Sequence, residues 1–332
     1  MSTPYLTVTR GGNTARVTAL FIGLAVIVLA ATPWLFGVGG SGRAVALLVY
    51  ILLAVMWNAL AGFAGLVSIG QTLFFGVAAY TTIRLADAGL DPFLSILVSI
   101  VIGAGLGWIT SLFMLSLKEG EFAIGMWVLS SLAHLCVNLD PLIQGETGTS
   151  LISLNTYDFE TRSALTLWLA LAITVASLIL LVLLLRSRMG AAITAIRDDE
   201  AGAKSIGVNV MRTKRIIFIL AAAGTAAAGA LWLASASNFQ PRAYFGVQWT
   251  AYMLFMVLVG GLGRIEGAII GAVLFFLIET YFGAYGAWYL VGLGIVAVMF
   301  TLLLPKGLWG WIGPRLPGEA IPTGYIVEKA KS

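Results

Sequence analysis

The chain has 332 residues, of which 60% are hydrophobic and only 10% are charged, and its mean hydropathy is +0.98. Soluble domains carry about a quarter charged residues, and they have too little interior to bury this much apolar side chain, so a soluble fold is excluded. The formal net charge of +4 does not indicate a nucleic-acid partner, because in a protein embedded in lipid the placement of cations carries the information.

Ten apolar stretches have about the length that crosses a bilayer, roughly 20 residues, and predict transmembrane helices. In chain order they are 17–36, 44–63, 66–86, 92–117, 122–139, 163–185, 215–236, 248–263, 266–283 and 286–304. Several are short, and omitting one pair leaves eight spans without changing the side on which the ends lie. The predicted fold class is an all-α polytopic membrane protein with about ten transmembrane helices, or eight, some of them short or broken.

The placement of cations predicts how these spans are oriented. The loop 186–215 holds seven Lys or Arg residues against three acidic ones, which predicts a cytoplasmic location. The loop 140–162 holds four acidic residues and one Arg, which predicts the periplasmic side. Both termini are predicted to be cytoplasmic, because an even number of spans lies on each side of the basic loop. The basic residues near the ends agree with this orientation: Arg10, Arg16, Lys306, Arg315, Lys329 and Lys331. The resulting boundaries are 1–16 for the cytoplasmic N-terminal segment, 17–304 for the transmembrane domain and 305–332 for the cytoplasmic tail.

Few polar or ionisable side chains lie within the predicted spans, and such groups usually face a bundle interior or water. The candidates for a translocation pathway are Asn58, Ser68, Gln71, Thr72, His134 and Glu279. Three of them, Ser68, Gln71 and Thr72, are spaced to share one face of a helix, in a span that is predicted to be broken or re-entrant. The alternative for these three is interhelical polar contact, at about 0.6 kcal/mol per bond.

The other two ionisable candidates also have structural alternatives. His134 could serve a proton relay, or form a hydrogen bond between helices together with Asn138 one turn away. Glu279 could line an outer vestibule or hold a gate, or it could reach headgroup water and pair with a neighbouring helix. Two glycine pairs with three intervening residues predict helix-packing faces rather than chemistry: Gly103 with Gly107, and Gly267 with Gly271.

The basic loop contains a predicted short helix with small side chains in its body. Acidic residues at its predicted start would stabilise the positive end of the helix dipole, and Gly207 is placed to end it in a left-handed conformation. A smooth helix of this kind would let another protein close over its backbone, with cations pairing at the rim. The predicted docking residues are Arg197, Asp198, Asp199, Glu200, Gly202, Ala203, Lys204 and Gly207. The alternative is an ordinary solvated loop.

Four sequence blocks, in the same order along the chain, resemble one known family. They run from Asn58 to Tyr80, from Ala195 to Asn209, from Gly260 to Ala272, and over Leu304-Pro-Lys-Gly-Leu-Trp-Gly. On these blocks the chain resembles the branched-chain amino-acid permease family of ABC importers, in particular its LivM-type subunit, over about residues 44–312. In that family a small-residue pair followed by a glycine docks on the ATPase, and Gly202, Ala203 and Gly207 occupy these places. A glutamate is common in the family at the place of Glu279.

The resemblance implies a subunit of the bacterial inner membrane, surrounded by lipid, that forms half of a translocation pathway for branched-chain amino acids or related small polar solutes. It implies as partners a homologous LivH-type permease subunit, two cytoplasmic ATPase subunits and a periplasmic solute-binding protein. ATP and Mg²⁺ would be bound by the ATPases, because the chain has no Gly-x-x-x-x-Gly-Lys-Ser/Thr loop. The chain departs from the family pattern at Glu121, Met126 and Thr149, where solute or partner preference could differ.

Two other classes of function remain open at the level of sequence. A stand-alone secondary transporter or channel driven by an ion gradient would need coupling carboxylates or broken helices near the midplane, and the chain offers only Glu279 and His134. A membrane-embedded enzyme would need several acidic or histidine residues. With one His and one Cys, the chain predicts no catalytic residues and no cofactor or metal of its own.

Overall fold

The computed structural model describes residues 6–9, 13–315, 320–321 and 326–329. Helices make up most of this part of the chain, and eight helical stretches in it are long and apolar enough to cross a bilayer. The predicted all-α polytopic fold class is therefore confirmed. Two of the terminal cations used to predict the orientation, Arg10 and Lys331, lie outside the described residues.

The first half of the chain forms six helices that run back and forth through the bundle. Their bounds are α1 Asn13–Ala30, α2 Thr32–Asn58, α3 Thr72–Asp87, α4 Pro92–Met114, α5 Glu119–Asn138 and α6 Phe159–Arg186. α2 continues into a wide π-helical turn, Ala59–Phe63. α6 has 28 residues and is therefore about 42 Å long, so the loops 140–162 and 186–215 lie at opposite ends of the bundle. These ends are called the acidic-loop end and the basic-loop end.

The second half forms eight more helices, of which several are short connections. Their bounds are α7 Arg188–Asp198, α8 Glu200–Ser205, α9 Val210–Ala236, α10 Pro241–Tyr244, α11 Val247–Gly260, α12 Ile265–Phe282, α13 Ala287–Leu303 and α14 Gly307–Ile312. Two short antiparallel strand pairs are also present: β1 Leu6–Thr9 with β4 Ile326–Lys329, and β2 Thr149–Ser150 with β3 Asn238–Phe239. The β1–β4 pair brings the two ends of the described chain together.

The boundary between the first two predicted spans, 17–36 and 44–63, contains two interruptions of the helix. α1 ends at Ala30 and α2 begins at Thr32, because Pro33 lacks a backbone N–H and is accommodated only in the first turn of a helix. Gly37, with φ of +60° and ψ of −156°, then kinks α2 directly after the predicted end of the first span. α1, with 18 residues, and α3, with 16, are not among the eight long apolar stretches, some of which join two consecutive helices. Eight of the ten predicted spans therefore correspond to long apolar stretches, and the other two correspond to these shorter helices.

The predicted break in the third span is present. After the π turn, residues 64–71 form no regular helix apart from the first of them, and α3 begins only at Thr72. Seven of these eight residues are buried or half-buried by surrounding helices, as an irregular backbone in a membrane requires, and the exception is Val67, which is 47% exposed.

The core of the bundle is built around α2 and α9. Every side chain of α2 from Leu48 to Met56 is buried, as expected for a helix that is apolar on all sides. α9 contributes Ala and Gly residues that let neighbouring helices approach closely. A Cβ placed on Gly103 of α4 would lie 2.3 Å from Ala226 Cβ, and one placed on Gly107 would lie 2.6 Å from Ala222 Cβ. The two glycines therefore form a packing face, as predicted.

Gly103→Ala is expected to lower the stability of the purified protein by about 1–3 kcal/mol, because the added methyl group forces α4 and α9 apart. Gly105→Ala is the matched control on the same helix, since a Cβ there meets no atom within 4 Å. Alanine also favours helix more than glycine, so the control should leave the Tm unchanged or slightly raised. Thermal unfolding in detergent measures both; equal Tm values for the two variants would contradict the packing interpretation.

At the acidic-loop end, one buried carboxylate connects α3 to the loop. Asp140 accepts hydrogen bonds from Arg84 Nε at 2.7 Å, from Arg84 Nη2 at 2.8 Å and from the Tyr80 hydroxyl at 2.6 Å. Burial alone would raise the pKa of Asp140, but the hydrogen bond from Tyr80 and the neighbouring Arg84 outweigh it and hold that pKa below its ordinary value. The loop is thus tied to α3 by a charged contact.

Candidate functional site

The predicted short helix of the basic loop is present as α8. Asp199 has an extended backbone and caps this helix, because its Oδ1 accepts a hydrogen bond from Gly202 N at 3.0 Å. Gly207 has φ of +89°, the left-handed conformation predicted for the end of the helix. Asn209 then caps α9 by accepting from Arg212 N at 3.0 Å. α8 is therefore a separate short unit between two longer helices.

Several predicted docking residues contact the protein's own helices. Asp198 is the last residue of α7 rather than part of the start of α8, because the extended Asp199 interrupts the helix. Ala203 is only 3% exposed, whereas Ala201 is exposed and Gly202 is half-buried, so this chain covers only part of the predicted small-residue face. Glu200 Oε2 pairs with Lys214 Nζ at 2.5 Å and ties α8 to α9.

The outward tip of α8 carries a large apolar side chain that the sequence pattern did not single out. Ile206 is 76% exposed, beside exposed Lys204 and Ser205. Its only signal in the sequence is its position, as the one large apolar residue between the acidic start of the helix and Gly207. We call Lys204, Ser205 and Ile206 the α8 tip.

Arg197 connects the basic loop to the transmembrane bundle. Its Nη1 donates a hydrogen bond to the backbone oxygen of Gly62 at 3.1 Å, and its Nε and Nη2 donate to Asp198 Oδ1 at 2.9 and 2.8 Å. The pairing of Arg197 with a partner protein at the rim of the docking helix stays a prediction. In the structure the guanidinium group contacts its own chain, and 36% of the side chain remains exposed.

The oxygen that Arg197 contacts lies where three segments of the bundle meet. Asn58 Nδ2 donates to Arg264 O at 3.0 Å, and Asn58 Oδ1 accepts from Gly263 N at 2.8 Å, which joins α2 to the turn between α11 and α12. A Cβ on Gly62 would lie 2.1 Å from Asn58 Oδ1 and 2.5 Å from Gly263 N, so only glycine fits there. We call Asn58, Gly62, Arg197, Gly263 and Arg264 the basic-loop junction.

This junction changes the interpretation of Asn58. The residue is 0% exposed and its amide binds backbone atoms, so in this conformation it does not face an open path. The π turn of residues 59–63 widens the helix just before the junction. Such turns are frequent at functional sites, but no residue pattern in the sequence predicted the π turn at this place.

Ser68, Gln71 and Thr72 do not share a helical face as predicted, because Ser68 lies in the non-helical stretch before α3. Thr72 Oγ1 and Ser130 Oγ of α5 form a hydrogen bond of 2.8 Å, and Gln71 Oε1 accepts from Thr225 Oγ1 of α9 at 3.3 Å. These bonds agree with interhelical polar contact. Ser68 Oγ and Gln71 Nε2 are buried without a hydrogen-bond partner among the described residues. Two polar atoms at the break therefore remain available for a hydrogen bond.

His134 belongs to a polar network at the acidic-loop end. Its Nε2 lies 2.8 Å from Glu146 Oε1, which also accepts from Asn138 Nδ2 at 2.5 Å. Glu146 Oε2 accepts from Arg242 N at 3.1 Å, and the His134 ring stacks on Phe245 with centroids 5.5 Å apart. The network joins α5, the acidic loop and α10. It therefore agrees with the structural alternative for His134.

Glu279 lies in the last turn of α12 and lines one cavity together with Tyr50 of α2. The predicted pathway residues are thus spread along the bundle: Asn58 at the basic-loop end, the polar break between the ends, and His134 and Glu279 at the acidic-loop end. The structure does not gather them into one site. Across the described ranges, no group of three or more His, Cys, Asp or Glu residues could hold a metal ion.

The three departures from the family pattern also lie apart. Glu121 accepts a hydrogen bond from Lys118 N at 3.2 Å at the start of α5. Met126 is fully buried, and its backbone oxygen packs against Gly70 so closely that a Cβ there would lie 1.9 Å away. Thr149 is in β2, which pairs with β3.

Comparisons with known proteins find transport permeases that are similar to this chain over most of its length. Residues 41–304 match the family described as "Branched-chain amino acid transport system / permease component". The chain is 25% identical to the high-affinity branched-chain amino acid transport system permease protein LivM of Salmonella typhimurium, over 90% of this chain and 76% of that protein. It is 25% identical to LivM of Escherichia coli, over 92% and 78% of the two chains. The permease protein LivH of Escherichia coli is 23% identical, over 79% and 91%. Comparison with solved structures gives no significant match.

Proposed function

The chain belongs to the permease family of branched-chain amino acid transport systems, as a LivM-type subunit of an ABC importer, and from this membership we propose how the importer is assembled. The chain pairs with a LivH-type permease, and each supplies half of a pathway for branched-chain amino acids. The proposal is supported by the relatives of one bacterium: LivM and LivH of Escherichia coli are both named as permease proteins of a high-affinity branched-chain amino acid transport system, and this chain is similar to both.

In the proposed orientation, the basic-loop end faces the cytoplasm of a bacterial cell and the acidic-loop end faces the periplasm. The support is the excess of cations in residues 186–215 and of acidic residues in 140–162. The short helix α1 and the interrupted segment 64–87 then also cross the membrane, which gives ten crossings. Both chain ends are cytoplasmic, in keeping with the pairing of β1 with β4.

Two cytoplasmic ATPase subunits supply the energy, and they hold the ATP and Mg²⁺. One of them docks on the α8 tip, where Ile206 enters a pocket of the ATPase. When the ATPases close on ATP, α7 and α8 move as a unit and Arg197 carries this movement to Gly62 and the π turn. The hydrogen bond between Arg197 and Gly62 carries this part of the proposal, because it is a direct polar link from the basic loop to the transmembrane helices.

A periplasmic binding protein delivers the solute to the acidic-loop end. This end is tied together by Asp140 with Arg84, by Glu146 with His134, and by the β2–β3 pair. These contacts join α3, α5, α9 and α10, so a protein that docks here meets a connected surface rather than separate loops. Solute selection lies mainly in the binding protein, and the membrane path then accepts what is delivered.

Affinity purification tests the assembly. The tagged chain, co-expressed with a LivH-type permease and candidate ATPases, is expected to co-purify with both, and solute-loaded binding protein should raise the rate of ATP hydrolysis by the complex. The control is the same chain with residues 198–206 deleted, which should still insert into the membrane but recover no ATPase. Recovery of the intact chain alone, without either partner, would refute the proposed assembly.

A further inference from the structure

A cavity between α2, α9 and α12 is lined by an acid and a base that do not pair with each other. Its volume is about 270 Å³, near the lower end of the ~300–1,000 Å³ range of small-molecule sites. Arg43 and Glu279 both line it, and neither forms an ion pair within the described part of the chain. Ionisable groups in membrane segments are costly and usually have a partner or a ligand. Two opposite charges on one cavity therefore indicate a ligand that carries both charges.

The cavity lies in the half of the bundle nearer the acidic-loop end. Arg43 is about 30 Å along α2 from Gly62, and Glu279 is about 22 Å along α12 from Arg264, at 1.5 Å per residue. Ser235, in the last turn of α9, also lines the cavity and is exposed. In the proposed orientation, this is the side from which a binding protein delivers the solute.

The walls of the cavity suit a small amphipathic molecule. Tyr50 lines the cavity together with Glu279. The Trp232 ring lies against Tyr50 with centroids 6.0 Å apart, and Phe276 adds an apolar surface. Gly42 also lines the cavity, and a Cβ there would meet no atom within 4 Å. Aromatic faces beside a carboxylate attract an ammonium group as well as an apolar side chain.

We propose that this cavity is the entry site for an amino-acid zwitterion. Arg43 binds the carboxylate with its two-pronged guanidinium group, Glu279 binds the ammonium group, and the apolar side chain lies against Trp232 and Phe276. A ligand with only one charge leaves either Arg43 or Glu279 without a partner, and it therefore binds more weakly. The inference rests on the proposed function and deepens it, because it names where the membrane subunit first receives its solute.

Cysteine protection in the complete importer tests this site. The background variant Cys136→Ala removes the one cysteine of the chain, and Ser235→Cys then places a reporter in the cavity wall. L-leucine at about four times its Kd is expected to slow modification by a methanethiosulfonate reagent about fivefold. Leucinamide, which lacks the carboxylate, and 4-methylpentanoate, which lacks the ammonium group, should protect much less at the same concentration. Arg43→Gln and Glu279→Gln should each abolish the protection by leucine.

A matched control uses Ser163→Cys in the same background. Ser163 lines a different cavity, between α2 and α6, which has Glu160 in its wall but no arginine, and leucine should not slow its modification. The proposal is overturned if leucine does not protect Ser235→Cys, if both analogues protect equally well, or if protection survives both charge variants. A charge pair supplied by the partner permease would give the first of these results. ATP hydrolysis stimulated by the binding protein is measured on the same samples; its absence would instead count against the importer assembly itself.

Discussion

Arg197→Ala is expected to leave the importer assembled while lowering the solute transported per ATP hydrolysed by about tenfold, which corresponds to ~1.4 kcal/mol. The variant removes the charge-assisted hydrogen bond to the Gly62 oxygen, a class of bond that contributes about 1.5–3 kcal/mol. The ATPases can still bind the α8 tip and hydrolyse ATP, but their movement no longer reaches the π turn. The measurement is the ratio of solute uptake to phosphate release in proteoliposomes.

Two further variants distinguish a loss of movement transmitted through Arg197 from a general disruption of the basic loop. Arg188→Ala removes an exposed cation from the same helix and should leave the ratio unchanged. Arg197→Lys keeps the charge but lacks the fork that reaches Gly62 and Asp198 together, so an intermediate ratio is expected. An unchanged ratio in Arg197→Ala, or a loss of uptake that only follows a loss of bound ATPase, would show that Arg197 does not transmit the movement.

Ile206→Asp is expected to reduce the recovery of the ATPases with the tagged chain to background. The variant removes an apolar side chain from the centre of the interface and buries a carboxylate in its place. Together these changes cost at least about 2 kcal/mol of binding free energy, or about 30-fold in affinity. Ile206 is a better position for this test than Gly202, because any side chain at 202 first meets Asp199 Oδ2, 2.6 Å from the added Cβ, and would disturb the cap of α8 as well as docking. Co-purification measures the effect.

The control for Ile206→Asp is Met211→Asp, which also replaces an exposed apolar side chain with a charge but lies outside the α8 tip, and it should retain most of the bound ATPase. Ile206→Leu should behave as the unmodified chain, because it keeps the apolar volume. Membrane insertion of all three variants is checked by the yield of the purified chain. If ATPase recovery with Ile206→Asp equals that of the unmodified chain, the α8 tip is not the docking surface.

The membrane helices could be predicted from the sequence because long apolar runs have one physical solution in lipid. Helix bounds and side-chain directions were harder to predict where individual residues interrupt an apolar run. Pro33 begins a new helical turn directly after α1, and Gly37 then kinks α2, within a stretch that is apolar on both sides. The stretch before Thr72 was recognisable as irregular from its polar residues, but the direction of each side chain depends on packing against α5 and α9, which no local pattern encodes.

In the basic loop, too, features set by neighbouring residues could be predicted, and contacts with distant helices could not. Asp199 and Gly207 were predictable, because a cap and a left-handed turn depend only on neighbouring residues. The burial of Ala203 and the contacts of Arg197 depend on helices distant in sequence, which no local pattern encodes. Arg43 is not among the predicted site residues, because its partner in the proposed site, Glu279, lies on another helix that is distant along the chain.

The most direct measurement is leucine accumulation in proteoliposomes that contain this chain with or without its proposed partners. Accumulation is expected only when the LivH-type permease, the ATPases, the binding protein and ATP are all present, and dissipating the proton and sodium gradients should leave it unchanged. Accumulation of leucine against its gradient by the purified chain alone, with an ion gradient and no ATP, would contradict the account.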